Sequence, residues 1–211
     1  MDWIRRASEH ERDIADGLYA ACLASTLGRE QSAEAYWYNV WSDGKYNISV
    51  KDVNGLQAFL EILTAELFPE WSCRSLVSVS IIVSPVGMRT TQPWHLDYTG
   101  TEGHCLIPMT PFTTGNATQF VRGQWTGPVL EHLKTVTGVP LLEEVLQRSD
   151  REFVEMSQVI CPSYSVLRMV PGTLHRGIAN MESFDRVMLC IVVNTSPIVI
   201  AESAVSSFMS R

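Results

Sequence analysis

Two histidines, a carboxylate and an arginine are spaced along this chain so that they could hold a metal ion and an anion beside it. In Gln92-Pro93-Trp94-His95-Leu96-Asp97-Tyr98, His95 and Asp97 are two residues apart. Alternate side chains of an extended segment share a face, so one strand can present an imidazole and a carboxylate together, with Trp94, Leu96 and Tyr98 on the other face. Far along the chain, Gly172-Thr173-Leu174-His175-Arg176-Gly177 supplies another histidine, and Arg186 follows His175 by eleven residues at the head of an apolar run. Taken singly, each feature has an ordinary explanation. His-x-Asp occurs as a surface hydrogen bond, and His175 reads as a satisfied core histidine. Arg186 reads as a salt bridge to Glu182 or Asp185, and Thr118 as a strand residue.

Taken jointly, they make a ligand set. Two histidines and one carboxylate form the facial triad of non-haem Fe(II) sites, which leaves further coordination positions open. From Arg186 to Val193 the chain is apolar after the arginine, so both faces of that strand are expected to be covered. A guanidinium buried there needs an anionic partner.

The elements that must position these residues can be read from periodicity. Ile4, Ala7, Ile14, Leu18, Ala21, Cys22 and Ser25 recur at helical spacing, predicting one amphipathic helix from Trp3 to about Leu27 on the outside of a sheet. Residues 35 to 50 read as strand-turn-strand around Ser42-Asp43-Gly44-Lys45, with Tyr36, Trp37, Tyr38 and Trp41 as an aromatic cluster of core character. A second helix is expected from a cap at Asn54 to a stop at Pro69. Val77, Val79, Ile81 and Val83 alternate with serines, with Ile82 the exception, which predicts a strand from Leu76 to Ser84 covered on one face. Short strands with turns follow, at 104–109, 118–121, 164–170 and 186–194. They are interrupted by apolar residues at helical spacing over about 127–148, read as a lid or outer wall. Strands in this number flanked by helices indicate a mainly β barrel or sandwich. The expected organisation is a single domain over 1–211, with 1–72 mainly helical support and 75–195 the β core.

Composition narrows the class. The chain has 211 residues, of which 45% are hydrophobic, enough for one domain with a full core. No segment is long and apolar enough to span a membrane. The start of the chain lacks the pattern of a signal peptide, so a cytoplasmic enzyme is the expectation. Cys22, Cys73, Cys105, Cys161 and Cys190 are odd in number and scattered, which disfavours a disulfide framework and a structural zinc site. A formal net charge of -7 argues against nucleic acid as a partner.

With these residues in view, the chain resembles the Fe(II)/2-oxoglutarate-dependent oxygenases, and within them the phytanoyl-CoA dioxygenase-like branch. The resemblance is carried by His95-x-Asp97, His175 and Arg186, and by Gln92. It is carried further by Gly115-Asn116-Ala117-Thr118-Gln119-Phe120-Val121 and by Thr173-Leu174-His175-Arg176-Gly177 with Asn180. It covers about residues 75 to 195. It implies a double-stranded β-helix (jelly-roll, cupin-like) core, Fe(II) held by His95, Asp97 and His175, and 2-oxoglutarate and O2 as cosubstrates. Arg186 is implied to pair with the distal carboxylate of 2-oxoglutarate, helped by Thr118 and Gln92. The expected reaction oxidises a C–H bond, with hydroxylation the default, and releases succinate and CO2. Two departures bear on substrate and cosubstrate contacts: Arg122-Gly123-Gln124-Trp125 replaces the branch's usual Pro-Gly-Ser-His, and Met188 stands where a serine is often found.

The substrate is expected to be a small or medium organic molecule, for example a specialised metabolite, with Tyr98, Phe112, Arg122 and Trp125 as candidate contacts and an apolar pocket around them. Arg168 reads more simply as an ion-pairing residue. A monomer, a homodimer and a hetero-oligomer all fit the sequence. Two other classes stand beside this one: a cupin-like metalloenzyme that does not use 2-oxoglutarate, and a non-catalytic partner subunit with an oxygenase fold.

Overall fold

The computed structural model describes residues 1–25, 29–31, 35–69, 75–92, 95, 102–122 and 155–194. In chain order the described elements are β1 (Asp2–Arg6), α1 (Glu9–Ala24), β2 (Arg29–Gln31), β3 (Tyr36–Ser42), β4 (Lys45–Tyr46), α2 (Val53–Leu67), β5 (Ser75–Ser84), β6 (Glu102–Pro108), β7 (Thr118–Arg122), β8 (Glu155–Gln158), β9 (Ser165–Met169), β10 (Leu174–Gly177) and β11 (Arg186–Asn194). The 127–148 segment expected to be helical lies outside the described residues.

The beginning of the chain departs from expectation for a local reason. Asp2–Arg6 is a strand paired antiparallel with β9, not the first turns of a helix. The helix cannot start earlier because Ser8 caps it: its hydroxyl accepts from the Glu11 N–H, and the Glu11 carboxylate accepts from the Ser8 N–H at 2.7 Å. The Ser8-x-x-Glu11 pair is a start signal present in the sequence, and it outweighs the apolar spacing that extends through Ile4. In α2 the cap is Asp52, whose carboxylate accepts from the Gly55 N–H at 2.8 Å, two residues ahead of the expected Asn54. Its end at Leu67, just before Pro69, is as expected.

The strands form two antiparallel sheets. The larger runs β1-β9-β6-β11-β5-β3-β2, with β4 joined to β3, and the smaller runs β10-β7-β8. Both helices cover the outer face of the large sheet, where Ala15, Leu18, Leu56, Leu60 and Leu63 meet Val79, Ile81, Val83, Leu189 and Ile191 in one buried cluster. A second cluster, including Leu106, Phe120, Met169, Met188 and Val192, lies between the sheets. This is a mainly β jelly-roll, cupin-like core with flanking helices.

Strand β5 is covered on both faces, not one. Val79, Ile81 and Val83 face the helices, while Ser78, Ser80 and Ser84 are buried and line a cavity between the sheets, with Ile82 among them. The serine face is polar because it meets a cavity instead of bulk water.

Candidate metal and anion site

The cavity between the sheets has a volume of about 400 Å³ and contains both ends of the expected site. At one end, His95 and His175 form an antiparallel bridge that exchanges both backbone hydrogen bonds, each 3.1 Å long. Directly opposed residues in such a pair project their side chains to the same face. The two imidazoles meet accordingly, with ring centroids 4.5 Å apart. The Nδ1 atom of His175 lies 2.9 Å from the Thr173 carbonyl oxygen. A carbonyl only accepts, so we assign the ring proton to Nδ1. In that tautomer Nε2 is the ring atom with a lone pair able to ligate a cation, the usual arrangement of a metal-ligating histidine. Asp97 lies outside the described residues, and among the described residues no three His, Cys, Asp or Glu side chains converge. His104, on β6, lines the same cavity with its ring 6.2 Å from that of His175.

At the other end is Arg186, the first residue of β11 and 4% exposed. Its Nη2 donates to the Thr118 hydroxyl at 3.2 Å and lies 3.8 Å from the Met188 sulfur. The guanidinium carbon sits 5.1 Å from the centroid of the Phe112 ring, within cation–π range. Neither neighbouring acid pairs with it. Glu182 accepts from the Thr113 hydroxyl, and Asp185 accepts from the Val86 N–H at 2.8 Å. The Arg186 Nε–H is buried without an acceptor among the described residues. Burial pushes the guanidinium down to about 10, so it is still a cation at neutral pH. A buried cation without a carboxylate is expensive, and the donors present fit an anionic ligand arriving from the cavity.

Strand β10 joins the two ends. Gly177 lies opposite Thr118 in the β10–β7 register. Gln92 runs alongside it: its backbone N–H donates to the Gly177 carbonyl at 2.9 Å, and its side-chain oxygen accepts from the Gly177 N–H at 2.7 Å. The amide oxygen of Gln92 is thereby committed, which leaves its NH2 group as the donor available to the cavity it lines. A Cβ on Gly177 would lie 2.8 Å from the Gln92 oxygen and 2.9 Å from Arg186 Nη1. Only glycine lets the guanidinium come this close to the strand. A glycine inside a strand marks such an approach, and Gly177 is a site residue that the sequence signals in this way and that the expected set lacks.

The remaining expected contacts fall only in part among the described residues. Phe112 is 1% exposed and lies beneath the Arg186 guanidinium, which it supports from within the second cluster. Arg122 ends β7 opposite Glu155, while Tyr98 and Trp125 lie outside the described residues. Arg168 is structural, donating to the Leu67 carbonyl at 3.2 Å and pairing with Asp2 at 3.7 Å. The described cavity wall away from the arginine carries Trp37, Asn39, Ser78 and Ser80.

No protein-family model and no curated protein matches the chain. Solved structures do. The non-haem α-ketoglutarate-dependent carbocyclase SnoK from nogalamycin biosynthesis is 16% identical with a TM-score of 0.65, over 89% of this chain and 76% of that one. The epimerase SnoN from the same biosynthesis is 12% identical with a TM-score of 0.60, over 89% and 73%. HygX from Streptomyces hygroscopicus, solved with nickel and 2-oxoglutarate bound, is 8% identical with a TM-score of 0.54, over 88% and 79%. The likeness is one of fold: the chain shares the mainly β, jelly-roll core of these structures.

Proposed function

We propose that the protein is a non-haem Fe(II)/2-oxoglutarate-dependent dioxygenase of the phytanoyl-CoA dioxygenase-like branch. The observation that carries this reading is a buried arginine cation that has no carboxylate partner among the described residues and lines the same cavity as two facing histidines. Residues 1–211 are taken as a single oxygenase domain. His95, His175 and Asp97 are the metal ligands, and Arg186, with Thr118 and Gln92, receives the distal carboxylate of 2-oxoglutarate. Phe112 keeps the guanidinium in place and excludes water from beneath it. With iron and 2-oxoglutarate bound, the site supplies oxidation of a substrate C–H bond coupled to conversion of the keto acid to succinate and CO2. Hydroxylation is the proposed outcome. The nogalamycin origin of SnoK and SnoN supports a small or medium specialised metabolite as substrate. Arg122, Tyr98 and Trp125 are proposed to contact it in a cytoplasmic enzyme. A metal centre that did not use 2-oxoglutarate would leave the Arg186 cation without a role.

The test is anaerobic titration of the Fe(II)-loaded protein with 2-oxoglutarate, following the visible charge-transfer band of the chelate. Wild type develops the band, and Arg186→Gln needs roughly a hundredfold more ligand, the scale of losing a charged bidentate partner. Absence of the band in folded, iron-loaded wild type sinks the proposal.

A further inference from the structure

We infer that Ser84 is a second carboxylate-binding residue, so that the distal carboxylate is held by Arg186, Thr118 and Ser84 together. This deepens the oxygenase reading and rests on it. Ser84 ends β5 directly opposite Arg186, the head of β11. Opposed residues of an antiparallel pair share a face with Cβ atoms roughly 4.5–5.5 Å apart, and both line the cavity. Ser84 is 5% exposed, and among the described residues its hydroxyl makes no hydrogen bond, whereas Ser80 on the same face bonds Asn39 at 3.1 Å. A hydroxyl that opens on the cavity with no partner among the described residues, beside a cation that has no carboxylate among them, points to a ligand that uses both.

The donors match a carboxylate. Its two oxygens offer about four acceptor sites. Thr118 accepts from Arg186 Nη2, so its own O–H hydrogen remains to be donated. The Arg186 Nε–H is unused, and the Ser84 O–H completes the set. The serine is also fixed in position. Asn180 donates to the Ser84 carbonyl and to the Phe184 carbonyl, both at 2.8 Å, and its oxygen accepts from the Glu182 N–H at 3.2 Å. The end of β5 is therefore pinned to the loop that leads into Arg186, which prevents the hydroxyl and the guanidinium from drifting apart.

The experiment compares two keto acids on the anaerobic Fe(II)-loaded protein, by the charge-transfer band and by calorimetry. They are 2-oxoglutarate and 2-oxobutyrate, which has no distal carboxylate. Ser84→Ala is expected to weaken 2-oxoglutarate about tenfold, the scale of a hydrogen bond to a charged group, and to leave 2-oxobutyrate unchanged. Ser84→Thr, which keeps the hydroxyl, is expected to bind 2-oxoglutarate like wild type, and combining Ser84→Ala with Arg186→Gln should add less than the two losses separately. Wild-type affinity for 2-oxoglutarate in Ser84→Ala overturns the inference while leaving the oxygenase reading intact. So does an equal loss for both keto acids. Failure of wild type to bind 2-oxoglutarate overturns both.

Discussion

The two faces of β11 look into different interiors. Val187, Leu189, Ile191 and Val193 alternate into the cluster under the helices, whereas Arg186, Met188, Cys190 and Val192 line the cavity between the sheets. The first face is uniformly aliphatic. The second combines a cation, a thioether, a thiol and a valine within a single strand. The period-two geometry of the strand lets one segment hold the fold together with half of its residues and present chemistry with the other half. If that division is real, damage to one face should leave the other working.

The largest effect is expected from Leu189→Ala. Leu189 is fully buried on the helix side, and truncation there should cost about 2–5 kcal/mol of stability while 2-oxoglutarate affinity of the folded protein stays at the wild-type value. Urea unfolding and the charge-transfer titration measure the two quantities separately, and a matching loss of affinity would refute the division.

Gly177→Ala attacks the cavity side. Its Cβ must displace the ends of the Gln92 and Arg186 side chains. We expect a loss of roughly tenfold in 2-oxoglutarate affinity, about 1.4 kcal/mol, with a stability change under about 2 kcal/mol because flexible ends can shift.

The smallest effect belongs to the start of α1. Glu11 accepts two 2.7 Å hydrogen bonds from Arg5, and this guanidinium holds its carboxyl down at about 2, against an ordinary 4.5. The folded value lies below the unfolded one, so Glu11 stabilises the fold above about pH 4.5, and that contribution is lost as pH falls toward 2. Glu11→Gln should therefore cost about 1 kcal/mol at neutral pH. Its unfolding midpoint should converge with that of wild type on acidification, with keto-acid binding unchanged. A gap that persists at low pH would place the effect in packing and not in charge.

Much of the fold was readable because its signals are local. The alternation in β5 and the continuous apolar run of β11 identify both strands, and Pro69 marks the end of α2. The misjudged start of α1 shows two local signals in competition: apolar spacing extends the helix to Trp3, while Ser8 and Glu11 stop it. The strands β1, β8 and β10 went unrecognised because each is short and owes its existence to a partner, β1 to β9 and the other two to β7. Arg186 was legible as an anion-binding candidate. That Glu182 and Asp185 do not neutralise it was not, since both are near enough in sequence and are drawn away by Thr113 and Val86.

Residue types and spacing by themselves determined which side chains could ligate a metal or receive a carboxylate, and that Arg186 heads a strand, because alternation and chain order are properties of the sequence. Only the tertiary structure decided that His95 faces His175, that Phe112 lies under Arg186 instead of on the cavity wall, and that Ser84 stands opposite the guanidinium. These are matters of register between strands distant in sequence, and a slip of one residue would turn every such side chain to the other face.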